Sequence, residues 1–72
     1  MEIQAKIKAI METYPIQVLV EVNDTQKYFI LDPAVKITRQ SETVEANELK
    51  PDQIIQAKLD VEGKIIKSIE LS

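Results

Sequence analysis

The chain has no cysteine, no histidine and no tryptophan. Without cysteine there is neither a disulfide framework nor a thiolate nucleophile, and without histidine there is no imidazole base and no ordinary zinc site. Aromatics are limited to Tyr14, Tyr28 and Phe29. The single glycine, Gly63, excludes collagenous and glycine-rich linker classes. No apolar run approaches the roughly 18 residues of a membrane span. Met1-Glu2 and the charge-studded segment after it do not read as a secretory signal, so a cytoplasmic location is expected.

What is present points to one folded domain over residues 1–72. Ile, Leu, Val and Phe make up about a third of the chain, against the roughly one fifth below which chains stay disordered. The formal net charge is −3, which disfavours nucleic acid as the main partner because phosphate neutralisation needs a basic surface. That charge is uneven. Acids and bases balance over residues 1–40, and the surplus acid lies beyond, in Glu42, Glu45, Glu48 and Asp52.

Period-2 patterning dominates. Ile3, Ala5, Ile7, Ala9 and Met11 alternate with polar residues apart from Ile10. A helix also fits this stretch, but the strongly β character of the remaining chain favours a strand. Ile16 to Val22 and Lys27 to Leu31 form a hairpin. A two-residue turn at Asp24-Thr25 would face Val22 with Lys27, Val20 with Phe29 and Val18 with Leu31. Asp32-Pro33 should end that strand, followed by a short extended piece through Val35 and Ile37. Thr43 could cap a helical turn through Asn47, closed by Pro51. Ile55, Ala57 and Leu59 alternate, as do Ile65, Lys67, Ile69 and Leu71. A three-residue loop Val61-Glu62-Gly63 would put the glycine at the left-handed position of a bulged turn, pairing Leu59 with Ile65, Ile55 with Ile69 and Asp60 with Lys64. Five or six short strands and one helical turn predict an all-β fold, a small antiparallel barrel of OB-like or SH3-like type.

Laid out in this order, the chain resembles the small OB-like β-barrel domains of unknown function found in bacterial proteins. The similar features are Ile3-Gln4-Ala5-Lys6-Ile7, the strand Tyr28-Phe29-Ile30-Leu31 leading to Val35-Lys36-Ile37-Thr38, the turn from Asn47 to Gln53 and the hairpin at Glu62-Gly63-Lys64. Pro51-Asp52 departs from the glycine common before the next strand in such barrels. The resemblance implies a fold and a binding role and no catalytic residues.

Carboxylates are plentiful, but all fall on polar faces or in turns, whereas an acid/base pair needs one member in an apolar pocket. Asp24, Asp60 and Glu62 lack the spacing of a calcium loop. A non-enzymatic binding module with no cofactor and no metal is therefore expected. Its partner is expected to be a protein, or a second copy, docking on the outward apolar residues Ile10, Leu19, Tyr28, Ile30, Ile54 and Ile66. The alternative is an OB-like single-stranded nucleic-acid binder using Lys6, Lys8, Lys27, Tyr28, Lys36 and Arg39. A third candidate is an acidic docking patch at Glu42, Glu45, Glu48 and Asp52.

Overall fold

A computed structural model describes all residues 1–72. The first expectation to hold is the opening strand, β1, Glu2–Met11, in which alternation outweighs the helical spacing. Its first half pairs with β5, Ile54–Leu59, and its second half with β2, Gln17–Val22. Serving two neighbours in this way bends a strand around a barrel. The bend is made by a bulge between Ile7 and Ala9. One extra residue, Lys8, reverses the phase of the side chains beyond it. Ile10 therefore stands opposite buried Val18 and packs against the core, while Ala9 and Met11 stand opposite Leu19 and Gln17 on the outer face. The predicted outward position of Ile10 is corrected by that bulge.

β2 turns into β3, Thr25–Arg39, through Asn23 and Asp24, at φ 51° and 65°. Two successive positive φ values make a primed hairpin turn, which Asn and Asp tolerate better than β-branched Thr25 would. The turn thus precedes the predicted Asp24-Thr25, and the pairs become Val18 with Phe29 and Val20 with Lys27. A slide of two residues preserves the faces, so Val18, Val20, Phe29 and Leu31 remain in the core as expected.

β3 does not end at Asp32-Pro33. Its pairing with β6, Ile65–Leu71, skips from Leu31 opposite Ile66 to Lys36 opposite Ser68, so the proline, which has no N–H to give a ladder, sits in an outward arch. The arch is held by Asp32, whose Oδ1 accepts from the Ala34 N–H at 2.7 Å and whose carboxylate pairs with Lys67.

A second primed turn, Gln40-Ser41 at φ 51° and 69°, leads into β4, Glu42–Val44, a strand the acidic composition conceals. Thr43 lies within it and caps nothing. The helical turn is a 3₁₀ segment, Ala46–Glu48, preceded by Glu45 with no side-chain cap, and buried Leu49 follows it. Asp52 adopts φ 73°, occupying the conformation that glycine would fill. Its N–H donates to the Ile7 carbonyl at 2.7 Å and Ile7 N–H donates to Gln53 at 2.9 Å, which seats the connection on β1.

The sheet order is β2-β1-β5-β6-β3-β4, closed by β2 against β3. β1, β2, β3, β6 and β5 form a five-stranded barrel with β4 as an appendage. The fold is the expected all-β barrel, and it is mixed because β3 runs parallel to β6. Its core of 14 buried residues is entirely hydrophobic, with no buried polar side chain.

The last hairpin corrects a register. Asp60 N–H donates to the Ile65 carbonyl at 2.9 Å and Gly63 N–H to the Asp60 carbonyl at 3.0 Å, so the loop holds four residues, not three. Leu59 then faces Ile66, and a shift between Lys58 and Leu59 leaves Lys67 as the extra residue before Ser68. Ile55 faces Leu71. Ile66, expected outside, is fully buried at 0% exposure, and Ile65 is half-buried.

Candidate binding surfaces

The registers divide the barrel's exterior into two unlike faces. On β1, β2 and β3, one cross-strand row is Ala9, Leu19 and Tyr28, and the next is Met11, Gln17 and Ile30. Five of these six side chains are uncharged and apolar, and the sixth is an amide. Tyr28 is 61% exposed and Ile30 37%. A row of Lys6, Glu21 and Gln26 borders them. The opposite face is mainly polar, with Ile54 exposed at one end of β5 and Ile69 the one apolar residue lining its groove. Glu2, Lys36, Thr38, Gln56, Lys58, Ser68 and Glu70 line a groove of about 370 Å³, with two acids balancing two bases.

Of the six residues expected to form an apolar interface, Leu19, Tyr28 and Ile30 are brought together. Ile54 is exposed but lies opposite Lys6 on β5, beyond the charged row, and Ile10 and Ile66 turn inward. Ala9 and Met11 complete the patch in their place. The signal that could have found them is the one break in the alternation, at Ile10.

The candidate cations disperse. Lys6 stands opposite Glu21, Lys8 occupies the β1 bulge and Lys36 joins the polar groove. Arg39 is paired with Glu48 at 3.2 Å. Only Lys27 and Tyr28 meet, in a groove of about 460 Å³ beside β3 with Gln17, Ile30, Gly63 and Lys64. Lys27 Nζ lies 5.8 Å from the centre of the Phe29 ring. Among the acids, Glu42 and Glu45 are exposed, Glu48 is held by Arg39, and Asp52 sits in its turn. No three acidic side chains gather closely enough to hold a metal ion.

Two carboxyls are shifted, both for structural reasons. Asp60 Oδ1 accepts from the Lys64 and Ile65 N–H groups at 2.9 and 3.2 Å, which lowers its pKa below the usual 3.8. The Lys67 ammonium, then the Ala34 N–H, lower that of Asp32, and Asp32 in turn raises the pKa of Lys67 above 10.5. Depressed carboxyl values contribute stability that is complete above the unfolded pKa and lost as pH falls through the folded one. The Lys67 contribution is complete below pH 10.5 and lost as pH rises through its folded value. Asp60→Ala is thus expected to melt below the wild type at about pH 7, with the gap narrowing steadily below the ordinary carboxylate range. Thermal denaturation at a series of pH values reads this directly, and a gap independent of pH would contradict it.

No protein-family model, no curated protein and no solved structure matches this chain.

Proposed function

We propose that the protein is a non-enzymatic binding module on an OB-like barrel, and that the outer face of β1, β2 and β3 takes a second copy of the chain. The OB-like assignment is supported by the strand order, by the parallel β3 and β6, and by the helical turn between β3 and β5. The self-association is carried by one observation: Ala9, Met11, Leu19, Tyr28 and Ile30 are contiguous on one face, whereas the groove across the barrel is lined by seven polar residues and one apolar residue.

Charge permits a second copy as occupant. The patch itself is uncharged, so two copies related by a two-fold axis bury no like charges against each other, and the charges that border it, Lys6, Lys8 and Glu21 on one side and Lys27 and Lys64 on the other, stay at a solvent-screened rim. Size agrees. A standard interface removes about 800 Å² from each partner, about a sixth of the 4954 Å² the molecule exposes, and three of the five barrel strands present their outer surface here.

Leu19→Asp places a carboxylate at the centre of that face without entering the core. The wild type is expected to dimerise in sedimentation runs up to about 1 mM, which register association of about 4 kcal/mol or more. The variant should remain monomeric. Ile54→Asp, on the other side of the charged row, should dimerise like the wild type. A wild type that stays monomeric throughout, or a dimer indifferent to Leu19→Asp, overturns the proposal.

Single-stranded nucleic acid is the second candidate ligand, favoured by the groove in which Tyr28 lies with Lys27 and Lys64 and no acid. Two lysines set its scale. At about 0.7 counterions per phosphate contact, affinity for a mixed-sequence oligonucleotide should fall only about sevenfold between 50 and 200 mM salt. Loss of binding in Tyr28→Ala, with that salt response, would transfer the function to this groove.

A further inference from the structure

The most exposed aromatic is neither on the apolar face nor in the core. Tyr14, 94% exposed, lies in the link between β1 and β2 and borders two clefts at once. One, of about 200 Å³, is walled by Pro15, Pro33 and Val35 of the β3 arch. The other, of about 560 Å³, is walled by Ile10, Leu49 and Glu12. Ile16 and Ala46 contribute to both. The ring is therefore a ridge between two mainly apolar depressions, built where the Asp32-Pro33 arch bows away from β6.

The electrostatics of this end are one-sided. Neither cleft is lined by a lysine or arginine. Asp32, which lines one cleft, is paired with Lys67, and Glu48, next to Asn47 of the other, with Arg39. Glu12 has no partner, and Glu45, next to Ala46, is exposed and makes no cap hydrogen bond. Glu12 and Glu45 thus lie beside the apolar clefts with no ion-pair partner within the protein.

We propose that the paired clefts take a short extended peptide of a partner protein, carrying two apolar residues three positions apart and flanked by lysine or arginine. In a polyproline conformation such residues lie on one side about 9 Å apart, enough to straddle a tyrosine ring with one side chain in each cleft. The flanking cations meet Glu12 and Glu45. A polyproline segment is already extended in the free state, so little ordering entropy of the peptide opposes its docking.

The test is selection of a phage-displayed random decapeptide library on the wild-type protein, followed by titration of the labelled protein with the most enriched peptide made synthetically. The enriched sequences should combine Pro or Leu at i and i+3 with Lys or Arg. The amides of Ile16 and Ala46 should shift on titration. Tyr14→Ala should weaken binding about tenfold or more, as for an aromatic anchor at an interface centre, and Glu12→Lys with Glu45→Lys should weaken it while a peptide with glutamates in place of its lysines recovers affinity for that double variant. All three positions are exposed, so the variants retain the core. No enrichment, enrichment of acidic peptides, binding retained by Tyr14→Ala, or shifts at Leu19 and Tyr28 instead, would each overturn the proposal.

Discussion

Ile66→Ala is expected to remove a large share of the domain's stability, whereas Ile65→Ala one residue earlier removes little. Ile66 is fully buried opposite Leu59, and truncating such a side chain costs about 2–5 kcal/mol in transfer energy and residual cavity. For a domain of 72 residues the whole stability is about 4–11 kcal/mol, so the loss is a substantial share of it. Ile65 is half-buried where the turn begins, and its truncation should cost about 1 kcal/mol. Urea denaturation with equal slopes measures both. The three-residue turn that strict alternation suggests would put Ile65 inside and reverse the order of the two effects, so the pair of variants also decides the register.

Gly63→Val is the second large effect, and it acts through torsion alone. Gly63 has φ 72°, and an added Cβ would meet only the Met1 side chain, Sδ at 3.7 Å and Cε at 3.9 Å, ordinary contacts. The left-handed conformation costs a residue with Cβ about 1–2 kcal/mol, and a β-branched side chain fits it worst. A loss of about 2 kcal/mol or more is expected for valine and about 1 kcal/mol or less for Gly63→Asn. Thermal melts of the two variants separate torsion from packing, because a packing cause would penalise asparagine as much as valine. The left-handed turns at Asn23-Asp24 and Gln40-Ser41 avoid β-branched residues on the same grounds.

The departures from expectation share a cause. In β1 the alternation runs inward through Ile3, Ala5 and Ile7 and then resumes at Ile10, because Lys8 bulges out. In β6 it runs through Ile66 and resumes at Ile69, because Lys67 is the extra residue, its ammonium bonded to Asp32. Each break was visible as an anomaly, an isoleucine out of phase in β1 and a lysine in an inward phase in β6. Neither anomaly says on its own which residue is extruded. That choice depends on the partner strand, since a bulge is a property of a pair. The consequence for function is direct: the β1 bulge removes Ile10 from the proposed docking face and supplies Ala9 and Met11.

The class of the fold, most of its strands, the core faces of β2, β3 and β5, and the special position of Gly63 are legible in the chain alone. These features arise from local patterning, in which side chains alternate across a strand and only certain residues tolerate a positive φ. Tertiary structure alone decided the parallel pairing of β3 with β6, the two bulges, the continuation of β3 through Pro33, and the short strand β4. Each is settled by contacts between segments far apart in the chain, where closing a barrel around one apolar core outweighs local signals. The meeting of Leu19 with Tyr28, and of Tyr14 with Pro33 and Leu49, belongs to this second group, because a surface is assembled only once the strands have chosen their neighbours.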